Sequence, residues 1–226
     1  MASKDKTLPK IWKEFEIENQ KYWIQDAEKF QENKIVHAMT YEFTRDEPLS
    51  IYSKLFENTE LIEKLRQAYV KLLQTGFCIV CMTKNNEKSV LVGIQCFESS
   101  STIQSGESWQ LGENLMQYML KCTNMSSKLN SIQYWEDRGL YVFPEYRQKG
   151  IASHLLSCWS LVCKHTGQEL AIGRFSSKYS QAAARKAGLI ELHYCTYEEI
   201  RKKLPSEIPL GVELHTEGSA LFATST

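Results

Sequence analysis

The residues that invite chemistry first are Arg147-Gln148-Lys149-Gly150-Ile151-Ala152, reached through Val142-Phe143-Pro144-Glu145-Tyr146. An apolar strand pattern runs into a helical one here across a basic, glycine-containing turn. The first amides of a helix have no intrahelical partner, and the helix dipole adds about half a positive charge at that end. Gly150 lets backbone approach a ligand, small Ala152 keeps the first turn uncrowded, and Arg147 and Lys149 add full charges. The chemistry this favours is phosphate or pyrophosphate binding. Neither GxxxxGK[ST] nor GxGxxG occurs, which argues against a nucleoside triphosphatase or a Rossmann dehydrogenase.

The elements that must position this turn can be read from periodicity. Tyr22–Ala27 reads as a strand, Lys34–Phe43 as a short helix and Glu60–Leu73 as an amphipathic helix. Phe77–Met82 and Val90–Phe97 form a hairpin across KNNEK. A polar loop, Ser99–Ser108, precedes a helix from Gly112 to Lys121 that is expected to continue towards Trp135. Then follow a strand (Gly139–Phe143), a helix (Gly150–Lys164), a strand (Glu169–Arg174), a helix (Ser180–Ala187), a strand (Leu189–Cys195), a short helix (Tyr197–Leu204) and a strand near Leu214–Ala223. Alternating strands and helices predict an α/β fold with a mixed sheet. The expected organisation is a loosely ordered segment over 1–20 and a single domain over 21–226.

Composition excludes several classes. Lys+Arg and Asp+Glu both number 27, so the chain lacks the basic excess of a nucleic-acid binder. No apolar run reaches the ~18 residues of a membrane span, and the N-terminus has no signal-peptide core. Cys78 and Cys81 form CxxC, but in the strand-like GFCIVCM residues three apart face opposite sides and cannot share a metal. The seven cysteines read as buried thiols in a reducing, cytoplasmic setting. The five histidines show no metal spacing, and there is no GxSxG elbow for covalent catalysis.

Arg147-x-x-Gly150-x-Ala152 resembles the acetyl-CoA pyrophosphate motif of the GNAT acetyltransferases. Two further stretches, Arg45-Asp46-Glu47-Pro48-Leu49 and Ser176-Ser177-Lys178-Tyr179-Ser180, the latter followed by Ala187-Gly188-Leu189, resemble insect-type arylalkylamine N-acetyltransferases in order and spacing. The resemblance implies a GNAT fold whose splayed strands bind acetyl-CoA, with no metal. It implies acetyl transfer to a primary amine by direct attack in a ternary complex, with sequential kinetics and no burst. Glu47 would be the general base, and Pro48 biases it towards an extended backbone. Ser176 and Ser180 would assist proton transfer or substrate binding, with Tyr179 a nearby hydroxyl. Tyr141, Val142 and Phe143 would offer backbone groups to the pantetheine arm. Arg147, Gln148, Lys149, Gly150, Ile151, Ala152 and Ser153, with Tyr179, would complete the cofactor site. Ser176 also reads as a helix N-cap, and Glu47 as a turn carboxylate. The tyrosine acid of many GNAT members is absent, since Ala184 stands four residues before Gly188. A polyamine, agmatine or histamine acceptor, a longer acyl-CoA, or a non-catalytic acyl-CoA-binding module remain alternatives. The expected partners are a small amine and acetyl-CoA, with no nucleic acid or membrane, and the expected state is a monomer.

Overall fold

In the computed structural model, residues 9–104 and 112–224 are described. Among these residues, eight strands form one sheet: β1 (Ile11–Ile17), β2 (Gln20–Asp26), β3 (Phe77–Asn85), β4 (Lys88–Ser99), β5 (Tyr134–Val142), β6 (Leu170–Phe175), β7 (Ile190–Thr196) and β8 (Gly218–Ala223). Their order is β1-β2-β3-β4-β5-β6-β8-β7, antiparallel except for β5 and β6. The helices are α1 (Glu32–His37), α2 (Phe43–Asp46), α3 (Pro48–Tyr52), α4 (Thr59–Thr75), α5 (Ser100–Gln104), α6 (Glu113–Lys121), α7 (Met125–Leu129), α8 (Ile151–Ser157), α9 (Trp159–Thr166), α10 (Lys178–Lys186) and α11 (Tyr197–Lys203). A π-helical stretch, Ala38–Glu42, joins α1 to α2.

Among the described residues, three apolar clusters hold these layers. Leu155 and Trp159 from α8 and α9 pack on Phe97 and Phe222 of the sheet. Ile35, Met39, Leu65 and Tyr69 pack on Val80 and Ile94. Leu115, Met119, Tyr197 and Ile200 pack on Ile172 and Leu221, with Leu49 and Tyr52 of α3 at the margin. The predicted hairpin between β3 and β4 turns on Asn86 and Glu87, both with positive φ, the conformation a two-residue hairpin turn requires. Cys78 and Cys81 enter different clusters on opposite sheet faces, Cys78 lying 3.7 Å from Cys96.

Several expectations are corrected. The segment over 1–20 is not uniformly loose, because Ile11–Ile17 is the edge strand β1. Trp12 holds it by burying its ring and donating to Asp26 Oδ1 at 2.7 Å; residues 1–8 lie outside the described residues. The helix begun at 113 stops at Lys121, and Trp135 belongs to β5. Thr123 ends it by donating to the Leu120 carbonyl and accepting from the Met125 amide. The helix expected over 150–164 breaks at Cys158, where Ser157 Oγ and Cys158 Sγ both donate to the His154 carbonyl and the Cys158 amide turns back to Leu155. The final strand begins only at Gly218, after a short 3₁₀ turn at Val212–Leu214. Part of the polar loop over 99–108 is α5, and 105–108 lie outside the described residues.

Candidate active site

The site begins as a parting of two strands. β5 pairs with β4 from Trp135 to Val142, but with β6 only through Tyr134, Trp135 and Glu136. Beyond that point β6 follows β8, and Asp137–Val142 keeps one edge with no strand partner among the described residues. A β-bulge marks the apex. Cys96 faces Gly139 and Phe97 faces Asp137, so Arg138 has no opposite residue. Asp137 Oδ1 locks the bulge by accepting from the Gly139 amide at 2.7 Å and from Gln95 Nε2 at 2.6 Å. Tyr69 donates to the Arg138 carbonyl at 2.9 Å. Gly173 lets the strands touch before they part, since a Cβ there would lie 2.7 Å from Asp137 Cβ.

At the open end, the Phe143 amide still reaches the Val92 carbonyl at 3.1 Å, and Pro144–Tyr146 forms a 3₁₀ turn. Gln148 and Gly150 take φ of 61° and 79°, which aims the chain into α8. The first i→i−4 bond there is His154 N–H to Gly150 O at 3.1 Å, so the amides of Ile151, Ala152 and Ser153 have no such partner. Above Gly150 the space is open, and the nearest atom to a hypothetical Cβ is Lys186 Nζ at 3.8 Å. Arg147 is committed elsewhere. Its Nε donates to the Val142 carbonyl at 2.8 Å, its guanidinium pairs with Asp46, and it lies over the Tyr141 ring. Lys149 Nζ stands 3.9 Å from Glu18. The Tyr141 and Phe143 side chains are core, meeting edge-to-face, and Tyr141 donates to Glu42 at 2.9 Å. What β5 offers the opening is therefore backbone.

Glu47 separates α2 from α3 with an extended backbone (φ −75°, ψ 125°) and Pro48 as the first helical residue. Its two oxygens have different fates. Oε2 caps α3, accepting from Ser50 N at 2.6 Å and Ser50 Oγ at 2.7 Å, while Oε1 is buried without a hydrogen-bond partner among the described residues. Tyr197 lies nearby: burial raises its hydroxyl pKa, the Glu47 carboxylate adds to the rise, and Arg174 opposes it. That hydroxyl donates to the Ser176 carbonyl at 2.7 Å, which links Ser176 to Glu47's surroundings. The cap of α10 is Ser177, not Ser176: Ser177 Oγ accepts the Ser180 amide at 3.1 Å. Ser180 Oγ is engaged in the same turn, donating to the Ser177 carbonyl at 3.0 Å. Tyr179 is 69% exposed and packs edge-on to His215. A groove of about 680 Å³ nearby is lined by residues including Lys178, Gln181, Arg185, Tyr194 and His215, and none of its lining residues comes from β5 or the Gly150 turn.

The apex also gathers charge. Arg138 pairs with Glu98 at 2.7 Å and Glu136 at 2.6 Å, with Glu113 at 3.6 Å. Burial pushes the Glu136 carboxyl up to about 7 against the pull of Arg138, and pushes Asp137 up to about 6. Sequence reasoning singled out none of Glu136, Asp137, Arg138, Gly139, Arg174 or Tyr197. The available signal was WEDRG, three charges and a glycine inside a strand, a pattern that points to a bulge. Among the described residues no group of three or more His, Cys, Asp or Glu side chains is placed to hold a metal ion.

A mixed sheet whose two central parallel strands part above a strand–turn–helix connection is the GNAT acetyltransferase fold. Within it, the solved structures similar to this chain include insect amine acetyltransferases. A protein assigned as arylalkylamine N-acetyltransferase 7 from the yellow fever mosquito Aedes aegypti superposes with a TM-score of 0.80 at 20% identity, over 98% of this chain and 97% of that one. Arylalkylamine N-acetyltransferase 2 of Aedes aegypti gives 0.66 at 15% identity, over 90% and 98%. The Drosophila melanogaster polyamine N-acetyltransferase, which forms N-acetylagmatine, gives 0.59 at 12% identity, over 91% and 100%. No protein-family profile matches the chain, and no curated protein is similar to it in sequence.

Proposed function

We propose that this protein is an N-acetyltransferase that moves the acetyl group of acetyl-CoA to a primary arylalkylamine by direct attack in a ternary complex. The observation that carries the proposal is the unpaired edge of β5 leading to the open Gly150 turn. An extended pantetheine arm can add to that edge as a strand would, with the pyrophosphate on the amides of Gly150, Ile151, Ala152 and Ser153. Gln148 shapes the turn, and Lys149 and Lys186 lend positive charge. Arg147 acts by tying the turn to the Asp46–Glu47 segment.

An alkylamine with a pKa of about 10 is almost wholly ammonium at neutral pH and cannot attack. Glu47 is the base, and its unpartnered Oε1 is the acceptor for the proton. Ser176 lines the base's surroundings through Tyr197, while Ser180 supports the first turn of α10. Tyr179 borders that turn. The chain works as a cytoplasmic monomer.

A second reading, a dibasic acceptor such as agmatine or a polyamine, draws support from Glu98, Glu113 and Glu136 around Arg138. Thiol release from acetyl-CoA with tryptamine, dopamine, histamine and agmatine tests both. Preference for the aromatic amines is expected, and preference for agmatine moves the assignment to dibasic acceptors. Acetyl-CoA binding without release on any amine would leave only an acyl-CoA-binding module.

A further inference from the structure

Given the acyl-transfer reading above, we infer that Arg174 is a further catalytic residue, which holds the negative oxygen formed on the thioester. Arg174 lies on β6 two residues past Ile172, the last residue of that strand paired with β5, so it belongs to the far arm of the opening. Its Nη1 is buried and has no hydrogen-bond partner among the described residues. Guanidinium donors are rarely left this way in a native interior, because an unmade bond to a charged donor is costly. The arms of the opening differ in this respect. On β5, Asp137 Oδ1 is occupied by the Gly139 amide and Gln95. On β6, Arg174 has an N–H to give.

Two groups locate its charge. Arg174 draws the Asp137 carboxyl back against the rise that burial causes, and it opposes the rise of the Tyr197 hydroxyl that Glu47 strengthens. The guanidinium thus lies within electrostatic reach of the β5 apex and of Tyr197, a residue that also feels the proposed base.

The step balances without a further reactant. The amine nitrogen gives its lone pair to the thioester carbon, the C=O π pair moves to oxygen, and Arg174 donates an N–H to that oxyanion. Glu47 Oε1 holds the ammonium proton removed beforehand. Collapse of the tetrahedral intermediate re-forms C=O, breaks C–S and releases the CoA thiolate; of the two protons then on the cationic amide nitrogen, one passes to solvent and the other stays as the N–H of the neutral amide. A donor in position beforehand does not have to reorganise when charge develops.

Single-turnover acetyl transfer by the full chain, with acetyl-CoA affinity measured separately by calorimetry, tests this. Arg174→Ala is expected to slow transfer by about 10²–10³-fold, with acetyl-CoA affinity within threefold of wild type. Dilute guanidinium should restore part of the Arg174→Ala rate and leave wild type unchanged, a response a merely structural arginine would not give. If Arg174→Ala does not fold, Arg174→Lys supplies the same comparison, with slowed transfer at unchanged affinity expected. Unchanged transfer overturns the inference. So does a loss confined to KM for carboxylate-bearing amines, which would make Arg174 an acceptor-binding group, or a parallel loss of acetyl-CoA affinity. Wild-type protein that neither binds acetyl-CoA nor turns over would instead defeat the acyltransferase reading itself.

Discussion

The two ends of the open strand are built by different means. At its outer end, the Gly150 turn is local: one glycine with φ of 79°, one proline and a helix start set the backbone within ten residues. At the apex, the bulge at Arg138 is held by Gln95 from β4, Tyr69 from α4 and the neighbouring Asp137, all through part-buried hydrogen bonds. The outer end needs backbone shape and stays open. The apex needs partners from across the fold and is closed. The outer turn can therefore be broken by one residue, whereas the apex depends on a polar network.

Substitution at the outer end should have the largest effect on cofactor binding. Gly150→Val forces a β-branched residue into a left-handed backbone, which costs about 1–3 kcal/mol, and fills the open space above the turn. Acetyl-CoA affinity measured by calorimetry should fall at least about 100-fold. Affinity within threefold of wild type would separate the turn from cofactor binding.

Between the two ends, Glu47→Ala should slow turnover by about 10²–10⁴-fold near neutral pH. The deficit should shrink at high pH, where free amine is abundant, and a pH-rate profile reads this directly. The substitution also removes the α3 cap, for about 1 kcal/mol of stability. Glu47→Gln can still accept from Ser50, so it separates the two roles: stability should return while the neutral-pH rate does not.

The apex should announce itself in the pH dependence of stability. Glu136 and Asp137 have folded pKa values of about 7 and about 6, raised by burial above 4.5 and 3.8. The folded protein therefore holds these protons more tightly than the unfolded chain. Their contribution to stability is fully present below about pH 4 and is lost as pH rises towards 7. In thermal melts, Asp137→Asn should be relatively more stable at pH 7 than at pH 4, compared with wild type at each pH. An unchanged pH difference would mean that Asp137 is not the titrating group.

The smallest effect is expected at Arg147. Its guanidinium is half-exposed and turned to Asp46, so Arg147→Ala should weaken acetyl-CoA by roughly 3–10-fold, as for other exposed charges. The change in amine KM should be smaller still. A loss as large as that of Gly150→Val would mean that the side chain, and not the backbone, grips the diphosphate.

The same contrast explains what could be read from the sequence. The mixed α/β fold, the Gly150 turn and the extended backbone at Glu47 follow from residues close together in the chain, and all three are in the structure. β1 escaped because its polar alternation leaves only Trp12 fully buried, and an edge strand shows a weak apolar pattern. The apex escaped because its partners lie 42 residues apart for Gln95 and Asp137 and 69 for Tyr69 and Arg138. Ser176 and Ser177 look alike in sequence, and only the chain direction at the start of α10 decides which one caps it.

The central claim is that acetyl-CoA lies along the free edge of β5 and ends on the amides of the Gly150 turn. Backbone amide chemical shifts followed during an acetyl-CoA titration measure this most directly. The account predicts saturable shifts concentrated at Leu140–Val142 and Gly150–Ser153. Shifts absent from both segments, with binding elsewhere or none, would contradict it.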